Sequence, residues 1–302
     1  MQGKVRILQE RIIQMHQECF QCDINQMKKI SGFLQLDQET ETQLIRLTED
    51  YPKTCDMTKT NPEVMGEIWA VIRDVLGTDN PYQEIKSYYN RLVLSMSDLI
   101  DELICGSSDR LVCGLKLAIA GNLIDFAAKH EFDENSLKEM IGNISGTELA
   151  IDHSPQLFDT LKKSRTLLYL GDNCGEIVLD KHFILLLKEY YPNLQVFYGV
   201  RGKPIVNDVT AEDAREVCME EAATVISSGD GSLGTVLHRT STEFQEIFGA
   251  ADVVICKGQG NYEGLADCRR DNIFFLFMAK CSLVAAPLGI DKMSIVCMKK
   301  RA

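Results

Sequence analysis

The chain has 302 residues, long enough for two domains or one large one and for a sizeable core. Hydrophobic residues make up 45% and charged residues 25%, an ordinary balance for a soluble globular protein. The formal charge of −12, with no basic stripe, argues against a nucleic-acid binder, yet it admits a small anionic substrate, because a metal ion and a few local cations can set the field of one cleft.

The first residues, MQGKVRILQERIIQMHQ, are charged throughout and lack the apolar stretch of a secretory signal. No apolar run approaches the ~20 residues of a membrane span. Eleven cysteines, an odd number, read as reduced thiols rather than a disulfide framework, so a cytoplasmic location is expected. Cys113, Cys218, Cys256 and Cys297 sit in apolar runs and are expected to be small core hydrophobes.

Residues 1–160 carry helical periodicity almost throughout: Val5 to Met15, Glu63 to Ile72, and Leu111 to Phe126. Pro52, Pro62 and Pro81 mark helix starts or loops. This half is read as an all-helical domain, ending in a last helix over Asp152 to Lys163. From residue 161 to 302 the pattern becomes strand, helix, strand, helix. Strands are expected at 166–170, 194–200, 223–227, 252–256, 272–277 and 294–298, with helices near 175–190, 210–220, 233–248 and 262–268. That alternation implies parallel βαβ units, hence a Rossmann-like, mainly parallel α/β sheet behind an N-terminal helical domain.

The first of these strands, TLLYL, ends in Gly171-Asp172-Asn173-Cys174-Gly175-Glu176, and the second, QVFYGV, ends in Arg201-Gly202-Lys203-Pro204-Ile205-Val206-Asn207-Asp208. Strand ends of an open parallel sheet face one crevice, so two carboxylates and a carboxamide should converge there. Asp and Asn also favour turns and helix caps. Asp208 is less easily dismissed, because Thr210 and Asp213 resemble a capping box and leave it free of capping duty. Glu176 opens a helix, where it is either a favourable first-turn acid or a neighbour of a bound phosphate. Neither a GxGxxG fingerprint nor a P-loop is present. A third strand end carries Lys257-Gly258-Gln259-Gly260-Asn261, whose glycines permit close backbone approach and whose lysine supplies a point charge. Arg201 and Lys280 are further cations at strand ends. Cys19 and Cys22 share one face of a predicted helix, and Gly121, Asn122 and Asp125 are polar or small positions on another.

Taken together, GDNCGEIVLD, VRGKPIVNDVTAEDA, ICKGQGNYEGLAD, the CFQCDINQ segment from Cys19 and the AGNLID segment from Ala120 resemble the DUF89 family of damage-control phosphatases. The CxxC pair resembles one of its subfamilies, related to the ARMT1-like proteins. Where a eukaryotic subfamily carries RTxK, this chain has Phe277-Met278-Ala279-Lys280. The resemblance implies a divalent metal on Asp172, Asn173 and Asp208, with Asp172 and Asp208 catalytic. It also implies substrate contacts from the glycine segment and from a lysine near 280. Two carboxylates and an amide are hard ligands suited to Mg²⁺ or Mn²⁺, with Co²⁺ or Ni²⁺ as further candidates, and are ill suited to structural zinc. The phosphate is expected to meet Glu176, Arg201, Lys257, Gly258, Gly260, Asn261 and Lys280. The implied activity is hydrolysis of small phosphomonoesters such as sugar phosphates or damaged phosphometabolites, with neither nucleic acid nor membrane as partner. Two rivals share the pattern: an S-adenosylmethionine-dependent carboxyl methyltransferase and a non-enzymatic metal or metabolite sensor.

Overall fold

A computed structural model describes residues 15–121 and 134–300. The expected N-terminal helix over Val5 to Met15, and the positions Asn122 and Asp125, lie outside the described residues for all or most of their length.

The sheet has seven strands: β1 (Ile151–Asp152), β2 (Thr166–Leu170), β3 (Gln195–Val200), β4 (Thr224–Ser227), β5 (Val253–Lys257), β6 (Ile273–Met278) and β7 (Ile295–Lys299). Their spatial order is β1-β7-β6-β5-β2-β3-β4. From β2 the chain winds outward through β3 to β4, then returns to place β5 on the other side of β2. The winding therefore reverses between β2 and β5, at the strand ends where open α/β sheets form their ligand crevice. All pairings are parallel except β6 with β7, which run antiparallel. The sheet is therefore mainly parallel, as expected, with one antiparallel pair at β6–β7. Between β6 and β7 the Ser282–Leu288 helix ends on Gly289, which caps it in the left-handed region at φ 71°, and the chain turns back. The two-residue β1 falls where a helix was expected, and that helix is confined to Ser154–Leu161.

Strand residues alternate between two cores. Leu167, Tyr169, Val253 and Ile255 pack with helices of the N-terminal half, including Val93, Leu115 and Ile119, and with the Glu176–Tyr190 helix. Leu168, Leu170, Val254 and Cys256 pack with the Thr242–Ala250, Gly258–Leu265 and Ser282–Leu288 helices. The Glu176–Tyr190 helix is buried along most of its length, against both the sheet and the Gln83–Leu94 and Arg110–Ala120 helices. A third core joins Phe20, Met27, Leu44, Val64, Trp69 and Tyr82 of the first helices to Ile205 and Val206, in the loop that precedes Asp208. Cys113, Cys256 and Cys297 are buried as expected, whereas Cys218 is exposed at a left-handed turn (φ 52°) just past a short helix. Among the described residues, no helix is long and apolar enough to cross a membrane.

Candidate active site

Two loops build the centre of the site. The turn after β2 carries Asp172 and Asn173, and the loop after β3 carries Asn207 and Asp208. Backbone bonds tie them together: Cys174 N donates to Asn207 O at 2.9 Å, and Val209 N to Asp172 O at 2.8 Å. Asn173 and Asp208 thereby form an isolated antiparallel bridge. Thr210 caps the Ala211–Glu216 helix with a reciprocal bond to Asp213, so Asp208 is free of capping duty and turns into the site. The residue before this pair, Val206, has φ 42°, an unusual conformation for a β-branched side chain. Its packing in the third core holds that strain two residues before Asp208.

Asp172, Asn173 and Asp208 are all buried and line one cleft of about 310 Å³. Burial, the neighbouring Asp208 and then Glu176 push the Asp172 carboxyl well above the usual range, against the pull of Arg201 and Lys280. Asp208 is also raised by burial, with Arg201 opposing. Arg201 Nε donates to Asp208 Oδ2 at 2.6 Å, and its Nη2 lies 3.7 Å from Asp172 Oδ1. The Asn173 amide nitrogen donates to Asp172 Oδ2 at 2.8 Å and to Glu176 Oε2 at 3.2 Å, so its oxygen is the end able to act as a ligand.

These donors fit a hard divalent cation. Two buried carboxylates raise each other's proton affinity, and a dication between them would remove that repulsion. Among the described residues, no group of three or more His, Cys, Asp and Glu side chains forms a metal cage. The Asp–Asn–Asp set takes its third donor from an amide.

The cleft sorts the expected phosphate contacts into two groups. Gly260 and Lys280 line it. Glu176, Arg201, Lys257, Gly258 and Asn261 lie behind its wall. Lys257 is 0% exposed, and its ammonium is held by Ala118 O at 2.7 Å, Asp180 Oδ1 at 2.7 Å and Glu176 Oε1. Burial alone would lower that ammonium, but Asp180 and Glu176 outweigh it and hold it charged. Strand alternation sends Lys257 this way, since Val253 and Ile255 face the same core. Asn261 is equally buried and braces the turns, donating to Gly171 O at 3.1 Å and Lys257 O at 2.6 Å. Gly258 matters for what it lacks. At φ 76°, a Cβ there would sit 1.9 Å from Asp172 Oδ2, so the carboxylate occupies the space a side chain would fill. Gly121 makes similar room for Glu176, whose Cγ lies 2.4 Å from a Cβ built there. Cys19 and Cys22 line the cleft with Cys281. Burial pushes Cys19 up to about 12 and raises Cys22, so neither is a ready thiolate.

Several contributors were not singled out from the sequence. Asp180 accepts from Tyr169 at 2.6 Å and Tyr198 at 3.0 Å as well as from Lys257. Its spacing from Glu176, one helical turn, was the available signal. Asn90, from the helical half, accepts from Gly175 N at 2.7 Å across 85 residues, which no local pattern announces. Asp23, Asn61, Asn207 and Glu263 also line the cleft.

Comparison with known proteins shows the family and the fold. Residues 15–296 match the family model described as the damage-control phosphatase ARMT1-like domain. A damage-control phosphatase of Pyrococcus horikoshii is 33% identical over 285 residues, covering 94% of this chain and 97% of that protein. Another from Archaeoglobus fulgidus is 30% identical over 234 residues, covering 76% and 80%. The crystal structure of a DUF89 family protein from Pyrococcus horikoshii superposes with a TM-score of 0.87 at 31% identity, covering 95% of this chain and 99% of that one. The chain belongs to the damage-control phosphatase ARMT1-like, DUF89 family.

Proposed function

We propose that the chain is a divalent-metal-dependent phosphatase of small phosphomonoesters, such as sugar phosphates or damaged phosphometabolites. The observation that carries this reading is the meeting of Asp172, Asn173, Asp208 and Lys280 in one cleft of a chain related to damage-control phosphatases. Asp172, Asn173 and Asp208 would hold Mg²⁺ or Mn²⁺, with Co²⁺ or Ni²⁺ as alternatives. When bound, the cation supplies Lewis-acid polarisation of the phosphoryl group.

The chain's own residues do the rest. Lys280 supplies positive charge for the phosphoryl oxygens beside Asp172. The buried Asn207 Nδ2 has no hydrogen-bond partner and is a further donor on the cleft wall. Arg201 holds Asp208 and sits beside Asp172, favouring their ionised forms. Asp172 and Asp208 are the groups placed to orient the attacking oxygen or take its proton. The Gln17–Phe33 and Asn61–Leu76 helices of the N-terminal half wall the cleft and limit the access of bulk water to the reaction.

The test is phosphate release from a panel of sugar phosphates and 4-nitrophenyl phosphate, without metal and then with Mg²⁺, Mn²⁺, Co²⁺ or Ni²⁺. Metal-dependent release that disappears in folded Asp172→Ala and Asp208→Ala proteins supports the assignment. Failure to release phosphate from any substrate with any of these metals refutes it.

A further inference from the structure

One part of the cleft wall, made by helices and here called the far wall, has no role in the chemistry above. Three helices supply it. Gln17–Phe33 presents Asp23, flanked by Cys19, Cys22 and Gln26. Asn61–Leu76 presents its first residue, Asn61, and Gly258–Leu265 presents Glu263. Asp23 is only 4% exposed, and its Oδ2 has no hydrogen-bond partner. Asn61 Oδ1 is likewise buried and unpartnered, although the Asn61 side chain bonds Glu263. Buried polar atoms are nearly always paired, and an unpaired one on a residue that lines a cavity marks a place for a ligand or water.

The orphaned atoms of the lining residues are of two kinds: next to Asp208 in the chain a donor, Asn207 Nδ2, and on the helices oxygens, of Asp23 and Asn61. Lys280 is tied to the acid wall by bonds: Lys280 N donates to Gln259 Oε1 at 3.0 Å, Gln259 Nε2 donates to Glu263 Oε1 at 2.7 Å, and Glu263 meets Asn61. Among the described residues lining the cleft, Lys280 is the one basic side chain.

We propose that Asp23, Asn61 and Glu263 form a specificity subsite that reads hydroxyl groups on the leaving group of the phosphomonoester. This rests on the phosphatase reading and adds to it the residues that choose the substrate. Burial, and then the charge of Glu263, push Asp23 up to about 8. Burial pushes Glu263 up to about 7, against bonds from Gln259 and Asn61. A protonated carboxyl both donates and accepts, as a hydroxyl does, so each can pair with a hydroxyl without stranding a charge. An alkyl leaving group would leave the oxygens unpaired, which is how a polar site rejects an analogue lacking the hydroxyl.

The experiment compares kcat/KM for three phosphates of equal chain length, ribose 5-phosphate, n-pentyl phosphate and 5-aminopentyl phosphate, with 4-nitrophenyl phosphate as a general probe. Ribose 5-phosphate should exceed n-pentyl phosphate by roughly tenfold to a hundredfold. Asp23→Leu should shrink that ratio about tenfold or more, while Asp23→Asn, whose amide still donates and accepts, should keep most of it. Equal rates for ribose and pentyl phosphates, preference for the amine, or an unchanged ratio in a folded Asp23→Leu protein overturns the proposal. If 4-nitrophenyl phosphate too is untouched, the phosphatase reading falls. Calorimetric titration with ribose 5-phosphate then decides the subsite alone: weaker binding by Asp23→Leu than by wild type supports it, and equal binding overturns it.

Discussion

Two polar clusters lie on either side of the turn after β2, and they differ in completeness. Beneath the turn, Lys257 meets Glu176, Asp180 and Ala118 O, and Asp180 also takes both tyrosine hydroxyls. Above it, Asn207 Nδ2, Asp23 Oδ2 and Asn61 Oδ1 stay unpaired around a cleft. The lower cluster is saturated, which suits a structural part. The upper one keeps bonding capacity in reserve, which suits a part that receives a ligand.

The sharpest way to break this contrast is to remove an acid from the upper cluster. Asp172→Ala or Asp208→Ala should lower metal-dependent phosphate release by about a thousandfold or more, with the circular dichroism spectrum retained. Removing the cation of the lower cluster should instead act on stability. Lys257→Met strands two buried acids and should cost about 3–5 kcal/mol in urea unfolding. Lys280→Ala is its counterpart above, expected to lower kcat/KM about tenfold to a hundredfold with a stability change within about 0.5 kcal/mol. Equal stability losses for the two lysine variants would erase the distinction.

Gly258→Ala tests the join between the clusters. The left-handed backbone alone should cost about 1–2 kcal/mol of stability, and the approach of Asp172 adds to that and moves the carboxylate, so activity should fall further than stability accounts for. The last test concerns the Asp23 wall and depends on pH. In the unfolded chain Asp23 releases its proton near pH 4, whereas burial and then Glu263 hold the folded carboxyl up to about 8. Between those values the folded state binds the extra proton, so this group's contribution to stability falls as pH rises. Asp23→Asn should therefore match wild type below about pH 4, gain on it through pH 5 to 8, and level off above. Urea unfolding at pH 4, 6 and 9 measures the difference.

Much of this was legible in the sequence because it is local. The Gly-Asp-Asn turn, the Thr210 capping box and the second acid at Asp208 each follow from a few adjacent residues, and the structure places them together. The direction of Lys257 depended on whether the strand ended at 256 or 257. The extra residue continues the alternation and turns the lysine toward the buried core. Asn90 on Gly175, and Asp23 facing the cleft, depend on contacts between residues far apart in the chain. The antiparallel β7 looks like any other short apolar run, because strand direction leaves no mark on hydrophobic composition.

The third core has a mechanical consequence. Ile205 and Val206 lie in the loop that delivers Asp208, yet they pack with Phe20, Met27 and Trp69 of the covering helices. The support of an acid in the sheet half is thus lent by side chains near the start of the chain, so a cavity cut among those helices would be felt at the strand ends without any of those three cleft-remote side chains touching the site.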